Sequence, residues 1–160
     1  MSIEPALADY LAGVETLRAA VAGMTPDQLK ARPVPGKWST LEVVCHLADF
    51  DVIYAERIKR IIAIDRPLLL GANHEIYAAR LAYHDRHVEE EIAVVESTRR
   101  QLARTLRGLP ADSLDRAGIV RDDAKADEER TARRHLTAII GHIPHHLAFV
   151  AEKKKALGLT

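Results

Sequence analysis

The chain has 160 residues, with 23 Lys+Arg balanced by 23 Asp+Glu, eight histidines and a single cysteine. That length suits one domain over residues 1–160, with a core large enough to fold without covalent staples. The lone Cys45 excludes an intrachain disulfide, no basic-plus-apolar leader or bilayer-length apolar run is visible, and the basic residues are scattered among acids. A cytoplasmic protein without nucleic-acid or membrane partners is therefore expected.

The first element is marked by Ile3, Leu7, Tyr10, Val14, Leu17, Val21 and Met24, whose alternating steps of four and three predict an amphipathic helix from about Ile3 to Gly23. Arg32-Pro33-Val34-Pro35-Gly36-Lys37 interrupts the pattern. Ser39-Thr-Leu-Glu42 then fits a capping box, which starts a second helix near Thr40, with Trp38 placed as its hydrophobic staple. The buried seam of that helix runs through Val43, His46 and Leu47, Phe50, Ile53 and Tyr54, Arg57 and Ile58, to Ile61, and stops before Asp65-Arg66-Pro67.

A loop over Leu68 to Asn73 and a short helical piece from about Glu75 to Tyr83 lead into a third long helix, traced by Val88, Ile92, Val95, Leu102, Leu106 and Leu109. Arg99 interrupts its apolar stripe, and either reaches a polar interior or extends outward to solvent. Residues from Gly108 to about Arg130, rich in charge, read as an exposed connection, long for a bundle and of the kind that borders functional openings. Ala132, Leu136, Ile139, Ile143, His146 and Val150 mark the inward face of a last helix from Thr131 to Leu157. With no repeat and no strand-like alternation, the pattern predicts an all-α fold, a four-helix bundle whose stripes meet along its axis.

Two histidines fall inside those stripes, His46 and His146, and His142 stands four residues before His146 on the same helical face. Buried imidazoles need partners. Periodicity leaves two readings open: three nitrogens converging on one divalent transition metal, or separate core histidines each bonded to a carbonyl or carboxylate.

The string Pro35-Gly-Lys-Trp-Ser39, then Leu41-Glu-Val-Val-Cys-His46-Leu-Ala-Asp49, with Gly141-His-x-x-x-His146-Leu near the end, resembles the DinB/YfiT-like family of metal-binding four-helix bundles. The resemblance spans nearly the whole chain. It implies an up-up-down-down bundle with His46, His142 and His146 as the metal ligands, and it makes a homodimer an expectation. Pro144, between the two C-terminal histidines, departs from regular helix, since it removes a backbone hydrogen bond and can bend the face they share. His145 is the competing ligand, while His74, His84, His87 and His135 read as ordinary surface or packed histidines.

Three neutral nitrogens leave coordination positions open, the arrangement of a catalytic metal. Zinc or nickel is the first expectation, with iron, copper and cobalt also suited to imidazole. The family resemblance implies transfer of a low-molecular-weight thiol to an electrophile, in detoxification or stress response, or metal-assisted hydrolysis. A non-catalytic metal- or ligand-binding helical module is the alternative. Glu42, Asp49 and Arg99 are the candidates for a general base, and Glu42 and Asp49, four before and three after His46, are also placed to accept a hydrogen bond near the metal or to serve as a fourth ligand. Cys45 adjoins His46 in sequence but points elsewhere around the helix, as a buried thiol.

Overall fold

The computed structural model describes residues 3–122 and 125–159, so positions 123 and 124 of the expected charged connection lie outside the described residues. Four long helices form the body: α1 (Glu4–Val21), α3 (Thr40–Ala63), α5 (Val88–Arg107) and α6 (Ala132–Ala156), with short helices α2 (Pro26–Lys30) and α4 (His74–Arg80) between them. The capping box before α3 forms as the sequence predicts: Glu42 N–H donates to Ser39 Oγ at 3.1 Å, and Ser39 N–H donates to Glu42 Oε2 at 2.7 Å. A second capping box, Thr25 with Gln28, starts α2.

Side-chain contacts fix the directions of the helices. Arg18 meets Glu96 while Arg107 meets Glu4, so α1 and α5 are antiparallel. Asp51 meets Arg99 and Lys59 meets Gln101, so α3 and α5 run parallel. His46 faces His142 and His146 while Tyr54 faces His135, so α3 and α6 are antiparallel.

The bundle is therefore up-down-down-up, which corrects the up-up-down-down order. Helices α1 and α3 each pack mainly between α5 and α6. The physical cause is the segment 64–87, long enough to carry the chain back along α3 before α5 begins. Its helix α4, capped by Asn73 Oδ1 on the N–H groups of Glu75 and Ile76, is thereby laid against the upper half of α3.

The connection after Gly108 also differs from its reading as an open loop. It holds strands β2 (Ala117–Asp122) and β3 (Lys125–Thr131), which pair antiparallel, and the crossover adds β1 (Leu68–Leu70) parallel to β2 in the order β1-β2-β3. Leu69 and Val120 turn inward onto the lower core with Ile58, Ile61 and Leu106, while much of β3 carries exposed charge. Gly118 has a steric reason: a Cβ there would lie 2.9 Å from the Pro67 carbonyl oxygen. Arg57, placed in the α3 seam, is buried and donates to the Leu70 carbonyl, which ties the crossover to the bundle.

Beneath the upper core lies a charged layer. Arg99 is fully buried, and its Nε and Nη2 donate to Asp51 Oδ1 and Oδ2 at 2.9 and 3.0 Å. Nη1 donates to the Tyr10 carbonyl at 2.6 Å, and Nη2 also reaches the Ile139 carbonyl at 3.2 Å. One guanidinium thus ties all four long helices together. Gly13 makes room for it, since a Cβ at that position would run into Arg99 Nη1.

His135 is buried against Tyr54, with its Nε2 lacking a hydrogen-bond partner. Burial, with help from Arg57, pushes its pKa from 6.5 down to about 4. The folded state refuses a proton that the unfolded chain accepts, so this contribution to stability is complete above pH 6.5 and is lost as pH falls through about 4. Urea unfolding of His135→Leu should show an acid limb flatter by up to about 1.4 kcal/mol per pH unit than that of the parent. An unchanged slope would show that His135 takes no part in acid sensitivity.

Candidate metal centre

His46 comes from the N-terminal half of α3, and His142 and His146 from the C-terminal half of α6. Antiparallel packing of those helices brings the three together, with one donor nitrogen from each lying within 4.8 Å of the others. His46 Nε2 and His142 Nε2 are 3.1 Å apart, and ring centroids are separated by 4.9 Å (His46–His142), 4.7 Å (His46–His146) and 4.7 Å (His142–His146). Helix α6 runs unbroken through Pro144, which is on the exposed side, so the proline leaves the face shared by His142 and His146 intact.

The reading as separately satisfied core histidines predicts a carbonyl or carboxylate on a ring nitrogen of each. Instead the Nδ1 atoms of His46, His142 and His146 are all buried without a hydrogen-bond partner. Burial is the main force holding all three neutral, and the crowding of imidazoles, which could not all be charged together, adds to it: pKa values fall from 6.5 to about 3 for His46 and His142 and about 4 for His146. Neutral imidazoles with free lone pairs are what a divalent transition metal requires, and the trio fits one. Aromatic packing sets ring orientation: Phe50 lies 4.4 Å and Trp38 5.3 Å from His46, and Phe149 5.6 Å from His146, centre to centre.

The trio opens into a cavity of about 570 Å³, whose wall includes Trp38, Phe50, Tyr54 and Phe149. His145 lines it too but is exposed and meets Phe149 and the edge of His146, outside the convergent set. His74, which reads in the sequence as an ordinary surface or packed histidine, is carried by the crossover to the cavity beside Glu75, 6.0 Å from His46 and 5.9 Å from Trp38 between ring centres. No local pattern marks it, because its place depends on where α4 lands. His84 and His87 are exposed and outside the cavity, and Tyr54 separates His135 from His142.

The candidate bases are engaged elsewhere. Glu42 serves the capping box and is gripped by Arg32; burial pushes its carboxyl upward, but the Arg32 guanidinium and Ser39 N–H hold it below the usual carboxylate range. Asp49 accepts from Tyr83 Oη at 2.8 Å and from Arg86, and Arg99 belongs to the Asp51 pair. None of the three lines the cavity, where among the described residues Glu75 is the one carboxylate. Cys45 is buried on another face, its thiol donating to the Tyr83 carbonyl at 3.5 Å and pushed up to about 12 by burial.

Residues 11–150 match the DinB superfamily. The fold closely follows that of YfiT from Bacillus subtilis, with a TM-score of 0.88 over 100% of this chain and 91% of that one at 22% identity. That protein is described as "a probable metal-dependent hydrolase with an unusual four-helix bundle topology". No curated protein matches the sequence.

Proposed function

This chain belongs to the DinB superfamily, and from that premise we propose that it is a metal-dependent enzyme in which His46, His142 and His146 hold one divalent transition metal, zinc or nickel, to activate a small nucleophile. The observation that carries this reading is the convergence, in the wall of an open cavity, of three neutral imidazoles whose buried Nδ1 atoms have no hydrogen-bond partner. A closed structural site would supply a fourth protein ligand; no other His, Cys, Asp or Glu joins the convergent set among the described residues. An ion bound there supplies Lewis acidity and brings the pKa of a coordinated water or thiol close to neutral pH.

The protein's own groups favour a thiol as that nucleophile. Hydrolysis calls for a base or acid close to the reacting atoms, and the cavity's carboxylate, Glu75, stands exposed beside His74 on α4. A thiol that has already lost its proton needs no such base; it needs an apolar wall that excludes water from the thiolate, which Trp38, Phe50, Tyr54 and Phe149 provide. The reading is thiol S-transfer to a small electrophile, with metal-assisted hydrolysis as the second outcome.

The test is turnover of zinc- or nickel-loaded protein with a panel of cellular thiols and a halogenated electrophile, run beside ester and amide substrates. Thiol adducts should form and vanish in His46→Ala. Ester or amide cleavage without adducts would replace transfer by hydrolysis. Absence of both with every metal would leave a binding module.

A further inference from the structure

The cavity has a cationic end that the histidine centre does not require. Lys153 on α6 is 1% exposed and lines the cavity. Its Nζ donates to the Phe149 carbonyl at 3.2 Å and lies 5.8 Å from the centre of the Phe149 ring. Among the described residues no carboxylate comes within ion-pair distance of it; of the two other buried cations, Arg99 holds Asp51 and Arg57 donates to the Leu70 carbonyl. Lys37, on the loop before α3, places its Nζ 5.6 Å from the centre of the same ring and 3.6 Å from the exposed Glu152, and it too lines the cavity.

A buried ammonium without a counter-ion is costly, and a methionine of similar length would fill the same space without that cost. Glu152 and Glu42 act on Lys153 only from beyond ion-pair distance, so the close counter-charge is left for a bound anion to supply. Lys153 stands seven residues after His146, hence on the same face of α6 and about 10 Å further along its axis. Lysine side chains in a helix lean back toward its N-terminus, so the ammonium is directed toward the histidine end.

We propose that the cavity is a two-point site, in which His46, His142 and His146 face the reacting group of a small molecule while Lys153, assisted by Lys37, holds a carboxylate or phosphate at its other end. The proposal rests on the enzymatic reading for what happens at the histidine end; anion capture at the lysine end does not. Phe149, Trp38 and Phe50 then cover an apolar spacer of several bonds. The substrate class is a small amphiphilic acid, not a neutral hydrocarbon or a cationic amine.

Trp38 is the single tryptophan and lines the cavity, so its fluorescence reports occupancy without any metal. Metal-free and zinc-loaded protein are titrated with hexanoate, hexyl phosphate and hexanol. At least one anion should bind at least 10-fold more tightly than hexanol in both forms, and the better of the two identifies the headgroup chemistry. Lys153→Met should erase that preference while leaving hexanol binding unchanged, Lys153→Arg should restore most of it, and Lys37→Gln should reduce it 2- to 4-fold. Circular dichroism confirms that each variant is folded; should Lys153→Met not fold, the Lys37→Gln and Lys153→Arg comparison carries the test. Equal binding of anions and hexanol by metal-free protein, or an anion preference untouched by Lys153→Met and Lys37→Gln, overturns the proposal. A preference that stands in protein unable to bind zinc sinks the metal reading alone.

Discussion

Asp51→Ala should lower the unfolding free energy by about 3–5 kcal/mol, the loss typical when one member of a buried ion pair is removed and the other left without its counter-charge. For a chain of this size that is a fall of roughly 10 °C or more in Tm. The magnitude follows from geometry. Both oxygens of Asp51 are taken by Arg99, both residues are wholly inaccessible to water, and Tyr10 Oη adds a longer contact of 3.4 Å to the same carboxylate. With the carboxylate gone, the guanidinium keeps the Tyr10 and Ile139 carbonyls, which cannot neutralise it.

The double variant Asp51→Leu/Arg99→Met should recover most of the loss, because a buried pair replaced by apolar groups of similar volume is often neutral in stability. Thermal and urea unfolding of the single and double variants give the coupling directly. If Asp51→Ala costs less than about 1 kcal/mol, in the range of exposed pairs, the pair is not holding the bundle together.

The second large effect is expected at the proposed metal centre, and it should split affinity from stability. His46→Phe should weaken zinc or nickel binding at least about 100-fold, since loss of an outer-shell partner alone costs about 10–100-fold and here a ligand itself is removed. The same substitution should leave the metal-free protein as stable as its parent, or more so. It gives up the Nε2 contact with His142, but it deletes a buried Nδ1 that has no partner and puts a ring of similar size among Trp38, Phe50 and the facing histidines.

Isothermal titration of metal into each variant, paired with the melting temperature of the metal-free form, reads both halves. His145→Ala and His74→Ala should each keep metal affinity within about 3-fold of the parent, being outside the convergent set. A variant series in which stability falls and metal affinity does not change would make the histidines structural.

Much of this was legible in local pattern. The stripe of α3 placed His46 among Val43, Leu47 and Phe50, the stripe of α6 placed His146 among Ile139, Ile143 and Val150, and the Ser39–Glu42 box located the start of α3. Family resemblance joined His142 to them as one ligand set. Helix periodicity and capping depend on residues three and four apart, so they survive without knowledge of the rest of the chain.

Other features were in the same stripes but easy to misread. Asp51 follows Leu47 by four residues and precedes Ile58 by seven, a core position; together with Arg99 in the facing stripe it was a signal for a buried pair. Lys153 likewise continues the spacing of His146 and Val150, and its charge disguises an inward residue. In both cases the side chain argued for solvent while the position argued for the interior, and position prevailed.

What the sequence by itself determined, then, is which segments are helical and which of their faces turn inward, including the face that carries the histidines. Tertiary structure alone decided the up-down-down-up order, the sheet made from β1, β2 and β3, the arrival of His74 at the cavity, and the diversion of Glu42, Asp49 and Arg99 into structural contacts. Helix direction is set by how far a connection travels, and strand pairing by which distant backbone arrives alongside. A side chain's availability for chemistry is set by the partner that reaches it first, and none of these leaves a mark within a few residues along the chain.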